Sequence, residues 1–64
     1  MKISKKKIIN ILNGEIKNIP TNIIQEILIK YENILKENVN YYSLMNKKER
    51  EKNIADRIFN DIKK

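Results

Sequence analysis

Asn22-Ile23-Ile24-Gln25-Glu26-Ile27-Leu28-Ile29-Lys30-Tyr31-Glu32-Asn33-Ile34-Leu35-Lys36 is the stretch that decides the fold. Ile24, Ile27, Leu28, Tyr31, Ile34 and Leu35 recur three or four residues apart, which gathers them on one side of an α-helix. Glu26 with Lys30 and Glu32 with Lys36 stand at i,i+4 with the acid first, the order that supports a helix. Pro20 marks the start, because the residue before a proline avoids helical geometry. Thr21 or Asn22 is the expected N-cap, and Asn22 with Gln25 has capping-box spacing. Val39 and Tyr42 extend the stripe, but Asn38 and Asn40 weaken it. The expected end is therefore near residue 38, with a run to about residue 42 as the alternative.

Toward the N-terminus, Ser4 followed by Lys5 to Leu12 and then Asn13-Gly14 reads as a short helix with a serine N-cap and a glycine stop. Three lysines in its first turn oppose the helix dipole. So short a segment needs tertiary support, and Ile8, Ile9, Ile11 and Leu12 supply the apolar surface for it. In the connection to the central helix, Ile16 and Ile19 are expected to dip into the core. Toward the C-terminus, Asn46-Lys47-Lys48-Glu49 has the form of a capping box, with Glu49 reaching back to Asn46. Ile54, Ala55, Ile58, Phe59 and Ile62 then form a stripe on a third helix whose other face is charged. With one glycine, one proline and no strand-like alternation, the pattern predicts an all-α fold. We expect residues 1–64 to form one small three-helix bundle, with a short first helix, a long central helix and a charged C-terminal helix.

A chain of 64 residues buries only roughly 60% of its unfolded surface, so its core is marginal. Disulfides are excluded because there is no Cys, and no His is present as a metal ligand. Self-association or ordering on a partner are the open routes to added stability. Lys5-Lys6-Lys7 superficially resembles the basic start of a signal peptide, but Asn10 and Asn13 break the apolar run and no small-residue cleavage site follows. No run approaches the ~18 apolar residues of a membrane span, and a cytoplasmic location is expected.

The net charge of +6 is concentrated at the two ends, with +4 from residues 1–7, −1 from residues 8–46 and +3 from residues 47–64. Ile, Asn and Lys together fill more than half of the chain, a bias that A/T-rich coding also produces, which discounts lysine number as a functional signal. General acid–base and nucleophilic catalysis most readily use His and Cys, both absent, and no two carboxylates stand at i,i+3 or i,i+4. A single glycine rules out a glycine-rich phosphate loop. No catalytic, cofactor-binding or metal residues are assigned.

Three places can carry binding. The first is Lys5-Lys6-Lys7-Ile8-Ile9-Asn10-Ile11-Leu12-Asn13-Gly14 with Ile19-Pro20 and the helix that follows. Over about 25 residues it resembles helix-turn-helix repressors of the phage-repressor and lactose-repressor kinds, where a recognition helix ends in a Leu-Asn-Gly-like turn. That resemblance implies that Lys5, Lys6, Lys7 and Asn10 face DNA. It departs from the pattern in that no helix fits between Met1 and Ser4. The second is Tyr41-Tyr42 beside Leu44-Met45, where Tyr41, Tyr42 and Met45 suit a protein interface or base stacking, or Tyr42 closes the core with Tyr41 half exposed. The third is the polar face of the last helix, where Lys47, Lys48, Arg50, Lys52 and Arg57 are interleaved with Glu49, Glu51, Asp56 and Asp61.

The leading expectation is a non-enzymatic, small regulatory or inhibitory protein that binds a protein or protein–nucleic-acid partner, of the kind a phage or other mobile element encodes. A dimeric, basic DNA-binding transcriptional regulator is the alternative, using Lys5, Lys6, Lys7, Asn10, Lys47, Lys48, Arg50 and Arg57. A peripheral membrane-binding helix is a weaker one.

Overall fold

The computed structural model describes residues 3–63. Four helices follow one another: α1 (Lys5–Leu12), α2 (Thr21–Glu37), α3 (Val39–Ser43) and α4 (Lys47–Lys63). No strand occurs among the described residues. The all-α bundle expected from the sequence is what forms, with one additional short helix inserted between the central and last ones.

Helix α1 begins where Ser4 caps it, its hydroxyl oxygen accepting from the Lys7 N–H at 3.1 Å. It ends in a Schellman motif: the Glu15 N–H donates to the Asn10 carbonyl at 2.8 Å and the Gly14 N–H to the Ile11 carbonyl at 3.0 Å. Gly14 adopts φ +88°, and open space surrounds the position of a side chain there, so backbone conformation is what calls for glycine. Asn18 is also left-handed, at φ +65°. These two turns carry the connection away from the core at Ile16, which is exposed contrary to expectation, and bring it back at Ile19, which packs on the core.

Helix α2 starts one residue earlier than an N-cap at Thr21 would give. Pro20 occupies the N-cap position, and its carbonyl accepts from the Ile23 and Ile24 N–H groups at 3.1 and 3.2 Å. Thr21 and Asn22 therefore lie inside the helix, and neither caps it. The extended stripe beyond Leu35 resolves into a break and a new helix. Asn38, at φ −153° and ψ 70°, ends α2, and its side-chain oxygen accepts from the Tyr41 N–H at 3.3 Å to start α3. This break rotates Tyr42 into the core and leaves Val39 half exposed. Helix α4 is capped by Asn46, whose side-chain oxygen accepts from the Glu49 N–H at 2.8 Å. The return contact of the expected capping box, from Glu49 to the Asn46 N–H, is not among the hydrogen bonds of the described residues.

The core consists of Ile8 and Ile11 from α1, Ile27 from α2, Tyr42 from α3, and Ile54, Ala55 and Ile58 from α4. Each fully buried isoleucine contributes roughly 1.5–3 kcal/mol by leaving water. Ile23, Ile24, Tyr31, Ile34, Leu35, Phe59 and Ile62 surround this centre as a half-buried layer. Ion pairs report the helix directions. Lys30 reaches Asp61 at 3.1 Å while Glu37 reaches Arg57 at 3.0 Å, so α2 and α4 run antiparallel. Lys5 meets Asp56 at 2.6 Å, and the far end of α1 lies beside the start of α4, so these two are antiparallel as well.

Candidate functional site

The apolar stripe of α4 contains a charge. Stepping back from Ile58 through Ala55 and Ile54, the next position on the same face is Glu51, which is only 5% exposed. Glu51 forms no hydrogen bond or ion pair among the described residues. It lines a half-open pocket of about 350 Å³, together with Ile9 and Asn13 from α1 and Lys47, Lys48 and Lys52 from α4. The lining is mainly apolar, supplied by Ile9 and the lysine stems, and it contains no aromatic residue. Antiparallel packing assembles the site, since it sets the last turn of α1 against the first two turns of α4.

The electrostatics of the pocket are unbalanced. Lys47, Lys48 and Lys52 have no acidic partner within 4 Å among the described residues. Lys47 and Lys48 stand in the first turn of α4, where cations oppose the helix dipole. Glu49 is the one acid in that first turn, and it is exposed. Arg50 folds back instead. Its guanidinium donates to the Met45 carbonyl at 3.3 Å, and its Nε is sealed from solvent without an acceptor.

The other residues singled out from the sequence are placed as follows. Lys5 is engaged by Asp56 across the α1–α4 seam, whereas Lys6 and Lys7 are exposed without an acidic partner among the described residues. Asn10 is half-buried, and its carbonyl accepts from Asn13 and Glu15 in the α1 terminus. Arg57 donates to the Tyr42 hydroxyl at 3.2 Å and to Glu37 at 3.0 Å. The hydrogen bond to Tyr42, then that to Glu37, holds the guanidinium above its ordinary pKa. Tyr42 is buried and presents almost no surface to a partner, because the break at Asn38 turns its ring inward. Tyr41 lies edge-on to it at 5.1 Å and is half exposed. Met45 is half-buried, and its sulfur accepts from the Asn53 amide at 3.6 Å.

The structure thus brings Lys47 and Lys48 together and separates them from Lys5, Arg50 and Arg57, which are taken up by internal contacts. Glu51, Ile9 and Asn13 were not singled out from the sequence as site residues. Glu51 had a readable signal: it stands three and four residues ahead of Ile54 and Ala55, where an apolar residue continues the stripe. No group of three or more acidic, His or Cys side chains suited to a metal occurs among the described residues, and no described helix is long and apolar enough to cross a membrane. No known family model, curated protein or solved structure matches this chain.

Proposed function

We propose that this chain is a non-catalytic regulatory or inhibitory module that docks an acidic segment of a protein partner on the face formed by the start of α4 and the end of α1. The observation that carries this reading is the convergence of Lys47, Lys48 and Lys52, without acidic partners among the described residues, around one apolar pocket. An apolar centre with a charged rim is the usual anatomy of a protein interface. A phosphate backbone would gain from the lysines but nothing from the apolar surface at Ile9. The module regulates by occupying its partner, since its chemistry lacks the His and Cys that neutral-pH catalysis most readily uses.

Fluorescence anisotropy with two labelled probes, an acidic peptide and a duplex DNA, tests this reading at about 0.15 M salt. The reading expects the peptide to bind, and Lys47→Glu with Lys48→Glu and Lys52→Glu to abolish that binding. Tight, steeply salt-dependent binding of the duplex with no peptide binding would replace it with the DNA-binding alternative.

A further inference from the structure

Glu51 is an acid on an otherwise apolar stripe. The residue is nine-tenths buried and its carboxylate has no hydrogen-bond partner among the described residues, yet its oxygens are not sealed from solvent and face the half-open pocket, so an occupant of the pocket strips away the water they keep. Neither α1 nor α4 places a donor against it, although three lysines ring the pocket. The site offers one strong acceptor at its wall, an apolar floor at Ile9, and positive charge at its rim.

The side chain that enters must satisfy all three. An anionic tip is repelled by Glu51. A cationic tip, Lys or Arg, is repelled by Lys47, Lys48 and Lys52. A purely apolar side chain leaves Glu51 desolvated and unpaired, which costs more than it gains. A neutral group with an apolar body and a hydrogen-bond donor at its tip fits, and tyrosine and tryptophan have that form. Both rank among the side chains that anchor protein interfaces by filling a pocket. A nucleobase also carries neutral donors, but stacking on an aromatic ring is what holds an unpaired base, and the pocket has no aromatic lining.

We infer that the pocket between the end of α1 and the start of α4 takes a tyrosine or tryptophan of an acidic protein segment, its O–H or N–H donating to the Glu51 carboxylate. Carboxylates on either side of the anchor meet Lys47, Lys48 and Lys52. The inference rests on the reading that the partner is an acidic protein segment, and adds the identity of the anchor. No bond is made or broken. Glu51 supplies selectivity, and the lysines supply attraction.

The test uses fluorescein-labelled peptides in which two Asp-Glu pairs flank a central residue in a Gly/Ser frame, with Tyr, Phe or Lys at the centre. Anisotropy is read on the full chain and on Glu51→Leu and Glu51→Gln variants. Wild type should prefer the Tyr peptide over the Phe peptide by about tenfold, the worth of one hydrogen bond to a charged acceptor. Glu51→Leu should bring that ratio to about one while binding the Phe peptide at least as well as wild type. Glu51→Gln keeps the shape and serves the same comparison if the Leu variant does not fold, which circular dichroism shows. Equal binding of Tyr and Phe peptides to wild type, a preference that persists in the variants, or a stronger response to the Lys peptide each overturns the inference while the docking reading stands. Failure of all three peptides to bind overturns the docking reading itself. Saturable binding of adenosine or guanosine monophosphate in place of the peptides would assign the pocket to nucleotides and overturn both.

Discussion

Arg57 and Glu51 stand less than two turns apart on α4, Glu51 on the core stripe and Arg57 on an exposed flank about 120° around the helix, and receive opposite treatment. Arg57 is half exposed, yet both its hydrogen-bonding partners are provided: the Tyr42 hydroxyl from α3 and the Glu37 carboxylate from the end of α2. Glu51 is almost fully buried and has no such partner among the described residues. At the Arg57 end, α2, α3 and α4 are tied together. At the Glu51 end, α1 and α4 hold a pocket open and leave its charges uncompensated. The charges that tie α2, α3 and α4 together are satisfied from within, and those around the pocket are not.

Four substitutions probe this contrast, in order of expected effect. Tyr42→Ala removes the buried ring and the acceptor for Arg57 together, and should cost about 3–5 kcal/mol in urea unfolding, enough to unfold much of so small a domain. A loss below about 1 kcal/mol would mean that the partnered end does not hold the helices together. Glu51→Leu acts in the opposite sense, replacing an unpaired buried carboxylate by an apolar side chain in the core stripe. It should stabilise by about 1–2 kcal/mol, raising Tm by several degrees. A lower Tm would show that Glu51 is compensated in solution. Arg57→Met keeps the packing stem and removes two hydrogen bonds at a site half open to water, so a loss of about 0.5–1 kcal/mol is expected. The triple change of Lys47, Lys48 and Lys52 to Gln should leave stability within about 0.5 kcal/mol, because these lysines make no ion pair among the described residues and the first two oppose the dipole of α4. Any larger loss would make them structural.

The helices were legible because their signals are local. The stripe from Ile24 to Leu35, the Ser4 cap, the Asn13-Gly14 stop and the Asn46 cap are each set by neighbours in sequence, and the helices form where those signals place them. What escaped was the geometry of breaks. Asn38 could end a helix or weaken one, and only its side-chain bond to Tyr41 converts the continued stripe into α3. Pro20 took the N-cap position expected of Thr21 or Asn22, its extended ψ of 139° turning directly into helix at Thr21 and its carbonyl accepting the first helical bonds. Gly14 and Asn18 decide together that Ile19 and not Ile16 reaches the core, and although asparagine is enriched in left-handed geometry, nothing local singles out Asn18 among the ten asparagines of the chain. The site was half legible. Lys47 and Lys48 stood out by charge, but their separation from Lys5, Arg50 and Arg57 depends on which cations find acids across helices. Glu51 was visible as an interruption of the α4 stripe, though it reads as one acid among four until its burial is known.

Where a partner lands on the chain decides between the two ends of α4. Titrating the ¹⁵N-labelled chain with the acidic Tyr peptide and following amide chemical shifts answers that directly. Docking at the pocket should move Ile9, Asn13 and residues 47–52 most, with the Arg57, Tyr42 and Glu37 amides nearly unmoved. Shifts centred instead on Val39, Tyr41 and Leu44, the exposed apolar residues of the α3 corner, would contradict it.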